Sequence, residues 1–303
     1  MGKKMMWPQL FLKISKSVIP VILPWVLLYS GYSFLVSLLY FFALPITFFE
    51  KDNPITRAVL IFNIGLPVLL VFRTITSYRR FWEGYNLWEA LVDTVHNLTR
   101  DIWIGVKEQS SKDRLEKEAT LRLIVAFVVA IKLHIRAEPV NDELKSLMSE
   151  NQYFRVKFTN YHPLQIAFWI GDYLQEQYNH NCLDIHQLTA LHKLMDRLVD
   201  IWCECELILK TTLPSLSTLI LRNLLFIYCL ILPLEIVKYF TFFTSTIMTF
   251  VSFLLLVIEQ IGSETEEPFG HKPNNPPLDV ICNTILRNVE DLLALAPIKD
   301  DFQ

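Results

Sequence analysis

The chain has 303 residues, of which 52% are hydrophobic and 19% are charged, and its formal net charge is −3. That balance excludes a nucleic-acid surface built on an excess of positive charge. It is also too apolar for a soluble domain and too charged for a fully embedded transporter, so we expect a membrane part and a water-facing part. Only 8 glycines, together with Leu-rich segments of helical period, predict an almost all-helical protein.

The beginning of the chain, residues 1–78, predicts a cytoplasmic segment followed by a hairpin of two membrane helices. The apolar segments run from Val18 to Phe42 and from Ala58 to Tyr78, and a span needs about 20 apolar residues. Basic residues precede the first segment and follow the second, which places both of those ends in the cytoplasm. These residues are Lys3, Lys4, Lys13, Lys16, Arg79 and Arg80.

The middle of the chain, residues 79–213, predicts a cytoplasmic helical region. Leu123 to Leu133 resembles a third span, but its uncharged core is far too short and is closed by Arg122 and Lys132. A buried helix of the water-facing part is therefore the better interpretation. The polar stretch 137–161 predicts a loop with short helical turns.

A second hydrophobic block, residues 214–260, predicts another membrane hairpin, with spans from Leu216 to Ile236 and from Phe240 to Ile258. Four spans place both termini on the cytoplasmic side. Residues 261–303 then form a cytoplasmic tail that ends in an amphipathic helix from Leu278 to about Leu295.

The sequence contains no common catalytic motif: GxxxxGK[ST], GxSxG, HExxH and GxGxxG are all absent. The five cysteines are odd in number and lack the spacing of a zinc site. We therefore expect neither enzyme activity nor a bound cofactor.

One face of the second span is a candidate path for ions. Ile64, Val68 and Phe72 follow each other at intervals of four residues and lie along one side of a helix. Such faces from several subunits would form a narrow apolar constriction, which gates ions by dewetting. The edge of the Phe72 ring is electropositive, and Arg73 would add positive charge at the cytoplasmic mouth. The same face is also typical of a helix that contacts lipid or its neighbours, and this alternative stays open.

Four ordered motifs resemble the bestrophin family, particularly its bacterial and plant-plastid branch. The first is Phe72-Arg73-Thr74-x-x-Ser77-Tyr78-x-Arg80-Phe81-Trp82-Glu83-Gly84, with Trp88 following. The others are Lys132-Leu133-His134-x-Arg136, Cys205-Glu206-x-Ile208 with Thr212-x-Pro214, and Glu259-x-Ile261-Gly262-x-Glu264 with Glu267-Pro268-Phe269-Gly270. The resemblance covers nearly the whole chain.

The resemblance implies a homopentameric ion channel with four transmembrane helices per subunit, continuous with a cytoplasmic helical domain. It implies the lipid bilayer of a bacterial cell membrane or a thylakoid as its location. The neck of the pore falls on Ile64, Val68 and Phe72, and a lower aperture falls at Ile185 or His186, at the start of the helix after Asp184. With His186 in the aperture, conductance would respond to pH, because imidazole titrates near neutrality.

Two departures from the family bear on regulation and selectivity. Animal members carry an acidic calcium-binding cluster after the Pro-Phe-Gly motif, whereas residues 271–277 read His-Lys-Pro-Asn-Asn-Pro-Pro here. Calcium needs several oxygen ligands, mostly carboxylates, so we expect a calcium-independent channel.

The neck has a single aromatic residue, Phe72, where animal members have more. Chloride conduction is the prediction, and the alternatives are a cation-conducting relative or a non-conducting membrane scaffold or sensor.

Overall fold

The computed structural model describes residues 18–42, 54–211, 215–272 and 275–294, with the side chains of 54–60 and 215–218 left aside. All regular structure in these ranges is helical, as predicted. The helices are α1 Ile19–Phe41, α2 Pro54–Gly105, α3 Ser111–Ile135, α4 Asp142–Lys145, α5 Glu150–Lys157, α6 His162–Asn179, α7 Ile185–Lys210, α8 Ser215–Phe240, α9 Thr244–Thr265 and α10 Leu278–Ala294.

The chain forms two compact units, one from residues 1–82 and 212–275 and the other from residues 83–211 and 276–303. Helix α2 contributes to both, because its 52 residues continue without interruption through the boundary. The stretch 261–275, grouped with the tail in the sequence analysis, belongs to the first unit by its contacts.

Most of the apolar helical sequence lies in the first unit. Three helical stretches in the described ranges are long and apolar enough to cross a membrane: Ile19–Phe41, Ile61–Gly105 and Leu219–Thr265. The third stretch comprises α8 and α9, which are joined by a 3-10 turn at Thr241–Phe243 and pack against each other. Thr241 has a φ of 44°, in the left-handed region that suits a change of chain direction. The stretch is therefore a pair of packed helices, and α1 packs mainly on α9 and also on α8.

The second unit is built around α3. This helix begins with a capping box, in which the Ser110 side chain and the Asp113 side chain each bond the other's backbone N–H. Its residues 123–131 are all buried, and α6, α7 and α10 pack against the helix. The interpretation of Leu123 to Leu133 as a buried helix is confirmed. The polar stretch that follows contains the short helices α4 and α5, also as predicted.

Two ion pairs to Asp279 attach helix α10 to α3, and the buried Lys132 side chain lies at their centre. The Lys132 ammonium, 3% exposed, lies 2.7 Å from Glu143 Oε2 and 2.9 Å from Asp279 Oδ1, and Arg136 Nη1 donates to Asp279 Oδ2 at 2.9 Å. The apolar face of α10 is buried as well, at Leu278, Cys282, Ile285 and Val289. The basic motif on α3 thus holds the last helix in place; the expected end of that helix at Leu295 lies outside the described residues.

Candidate functional site

The two faces of α2 have different surroundings within the first unit. Leu66 and Leu70 are 1% and 2% exposed and pack against Leu221 and Leu225 of α8. Residues four apart lie on one side of a helix, so this contact determines which face of α2 is directed away from α8. The orientation of the remaining side chains follows from it.

The predicted neck residues all lie on an uncovered face. Ile64 is 70% exposed, Val68 47% and Phe72 66%, so a large part of each side chain is left uncovered by the described chain. Exposed apolar side chains in a continuous row require either lipid or another protein surface. The row, which we call the α2 stripe, is available for contact with further copies of the chain, and its place in a pore stays a prediction.

Arg73 lies next to the α2 stripe but does not share its exposure. Its side chain is 10% exposed, and Nη2 and Nε donate to Glu266 Oε1 at 2.7 and 3.0 Å. Nη1 donates to Glu259 Oε1 at 3.2 Å. The guanidinium that was expected to add positive charge at the cytoplasmic mouth is therefore neutralised by two carboxylates of the same chain.

The partner of Arg73 also binds a second arginine. Glu259 Oε1 accepts a hydrogen bond of 2.7 Å from Arg222 Nε, and Arg222 Nη2 donates to Ser263 Oγ at 3.1 Å. Sequence reasoning identified Glu259 as part of a family motif but missed this pairing. The sequence indicated this pairing only by placing a carboxylate near the end of one apolar helix and an arginine near the start of another. Such charges need partners, because unpaired charges are costly beside a bilayer.

The residues of the predicted lower aperture begin α7, in the second unit. Asp184 caps that helix, since its Oδ1 accepts from the backbone N–H of His186 at 2.7 Å and of Gln187 at 2.8 Å. Ile185 is 51% exposed and the His186 side chain is exposed as well. The predicted helix start after Asp184 is confirmed, and both side chains are accessible in the single chain.

The segment in the position of the animal calcium cluster is held by neutral and basic groups. Asn275 Nδ2 donates to the Glu267 carbonyl at 2.9 Å, and Lys272 Nζ donates to the Ser263 carbonyl at 3.3 Å. Residues 273 and 274 lie outside the described ranges. Among the residues that the structure describes, no group of three or more His, Cys, Asp or Glu side chains could hold a metal ion. Calcium independence stays a prediction from residue type.

Comparisons with known proteins agree on one family. The family model described as Bacterial/Fungal Bestrophin protein matches residues 1–291. A voltage-dependent anion channel-forming protein of Nostoc sp. is 46% identical over 96% of this chain and 93% of its own length. A protein of the same description from Synechocystis sp. is 42% identical over 96% of this chain and 93% of its own.

The fold has also been seen in a solved structure. The crystal structure of a bacterial bestrophin homolog from Klebsiella pneumoniae superimposes with a TM-score of 0.80 at 23% sequence identity. The match covers 90% of this chain and 98% of the other. At this identity the likeness concerns the fold.

Proposed function

The chain belongs to the bacterial and fungal bestrophin family, and we propose that it is a passive anion channel, with chloride as a permeant ion. The observation that carries the proposal is the 46% identity, over 96% of the chain, to a protein named as voltage-dependent and anion channel-forming. Identity at this level over nearly the full length of both chains supports a shared fold and a shared activity. The chain is a channel subunit and not an enzyme.

The assembly that we propose is a homopentamer in which each subunit crosses the membrane four times. The spans are α1, the apolar part of α2, α8 and α9, with both termini in the cytoplasm. Packing of α8 on α9 supports counting their long apolar stretch as two spans. The uncovered α2 stripe supports assembly, since repeated copies would remove it from contact with lipid.

In this assembly the α2 stripes converge to form the neck. A ring of Ile64, Val68 and Phe72 side chains excludes water from a narrow passage and opposes ion entry until it widens. The electropositive edge of Phe72 favours an anion there. Because Arg73 is already paired with Glu259 and Glu266, we assign the preference for anions to the aromatic ring and not to a free cation at the mouth.

The test is chloride flux into liposomes that contain the purified chain, together with reversal potentials in asymmetric NaCl. A reversal potential close to the equilibrium potential of chloride, unchanged when calcium is chelated, supports the proposal. A reversal potential close to the equilibrium potential of sodium identifies the cation-conducting alternative. Absence of flux, together with a monomer or dimer of the 35.5 kDa chain in place of a pentamer, identifies the scaffold alternative.

A further inference from the structure

A cleft at one end of the apolar helices combines an apolar wall with a charged end. It lies inside the first unit, between α1, α8 and α9, and has a volume of about 310 Å³. Ile22, Trp25 and Phe226 contribute to the apolar wall, and Arg222, Glu259 and Gln260 form the polar end. A cavity with this division of its lining fits a molecule that has one charged and one apolar end.

The charge that the polar end presents to solvent is that of Arg222. Its side chain is 51% exposed, whereas that of Glu259 is 7% exposed. The Glu259 oxygen that binds Arg222 also accepts from Arg73, so one buried carboxylate is shared between two guanidinium groups. Glu266 also binds Arg73, so the two arginines and the two carboxylates balance in charge. About half of the Arg222 side chain faces solvent, and its accessible guanidinium N–H groups are well suited to hydrogen-bond a phosphate.

The apolar wall has the composition of a membrane interface. Ile22 is 3% exposed and lies at the base of the cleft, while Trp25 and Phe226 are 49% and 41% exposed at its sides. Tryptophan is enriched where a spanning helix meets the headgroup layer. In a bilayer this tryptophan would place the wall near the depth where an acyl chain begins, and an apolar chain in the cleft would cover the exposed parts of Trp25 and Phe226.

We propose that this cleft binds an anionic glycerolipid, with its headgroup phosphate on Arg222 and the start of an acyl chain along Ile22, Trp25 and Phe226. A soluble anion would use only the charged end, and a neutral lipid only the wall. The proposal concerns lipid recognition and does not depend on which ion the protein conducts.

The test uses the full chain in phosphatidylcholine vesicles that contain a minor fraction of brominated lipid, because bromine quenches nearby tryptophan fluorescence. The signal of Trp25 is the difference between the parent and Trp25→Phe. Brominated phosphatidylglycerol should quench this signal with about fivefold higher apparent affinity than brominated phosphatidylcholine, since one arginine near the surface contributes about that factor. Equal quenching by the two lipids in the parent overturns the proposal without reference to any charge variant.

Two variants identify the source of the preference. Arg222→Gln should abolish the difference between the two lipids, and Arg222→Lys should retain most of it. Arg79→Gln, which removes an exposed arginine elsewhere in the first unit, should leave the difference intact. Loss of the preference in Arg79→Gln would show a general surface-charge effect and contradict the site, and displacement of phosphatidylglycerol by soluble glycerol phosphate would identify a free anion as the occupant.

Discussion

Arg222 and Glu259 connect α8 to α9 through a hydrogen bond of 2.7 Å between Nε and Oε1. The same oxygen accepts from Arg73 of α2, so three apolar helices meet at one carboxylate. Both Arg73 and Glu259 are nearly buried, at 10% and 7% side-chain exposure, and buried charges of this kind depend on their partners. The group next to the α2 stripe is therefore a structural junction between helices.

We expect Glu259→Gln to destabilise the protein. The substitution leaves two guanidinium groups without their shared counter-charge, and breaking a buried pair from one side costs about 3 kcal/mol. The melting temperature of the detergent-solubilised protein, followed by intrinsic fluorescence, should fall clearly. Glu267→Gln is the control, because its side chain is 72% exposed and pairs only loosely with Lys272, at 3.4 Å. The control should lose about 0.5 kcal/mol of stability or less. Equal losses of stability in both variants would mean that the Glu259 ion pairs do not stabilise the protein more than an exposed pair does.

Phe72→Ala should increase chloride flux by roughly twofold or more, because a shorter side chain widens the neck and weakens dewetting. The measurement is flux into liposomes at equal protein content. Phe62→Ala provides a matched control, since Phe62 is an exposed phenylalanine on a different face of the same helix. A response that is the same in both variants would place the α2 stripe against lipid.

Helix positions were largely predictable from sequence because they depend on local patterns. The apolar segments and the buried Leu123 to Leu133 segment follow from hydrophobic period and length. The helix start after Asp184 was a prediction from the family resemblance and not from the local pattern. The α2 stripe follows from the same period. Its exposure in the single chain was not predictable from that period, because exposure depends on how the other helices pack around α2. The exposure agrees with a contact between copies.

The pairing of charges was not predictable, because it depends on the fold as a whole. Arg73 and Glu259 are 186 residues apart in the chain, and the apolar periodicity around Arg73 does not indicate which carboxylate will reach it. The boundary between the two units was hard to locate for a related reason. It falls after Trp82, inside one uninterrupted helix, and Gly84 two residues later does not end that helix.

Acid should weaken the attachment of α10 to α3. Burial opposes ionisation of the Asp279 carboxyl, but hydrogen bonds from Arg136 and Lys132 and their charges outweigh it and lower its pKa from 3.8 to about 2. A lowered carboxyl pKa stabilises the folded state at pH values above the ordinary pKa of 3.8. That stabilisation disappears as the pH falls from 3.8 towards 2. Since the side chain is 59% exposed, solvent screening limits the contribution to about 1 kcal/mol.

Asp279→Asn tests this attachment. The variant should melt at a lower temperature than the parent at neutral pH, and the two melting temperatures should converge on acidification. Asp291→Asn, an exposed position on the same helix, should melt like the parent at every pH. A constant difference between Asp279→Asn and the parent down to about pH 2 would contradict the assigned role of the carboxylate.

His186→Ala should remove a pH dependence of the chloride current. In the proposed assembly the His186 side chains of all subunits surround the lower aperture, and histidine is the residue type used most often as a pH-dependent switch. Each proton adds a positive charge, so the parent current should rise as the pH falls, because cations at a constriction concentrate anions. His180→Ala replaces an exposed histidine that precedes α7, and its chloride current should depend on pH as that of the parent does. If His186→Ala follows the parent curve, this residue does not line the aperture, and Ile185 becomes the residue to replace with a charged side chain in the same assay.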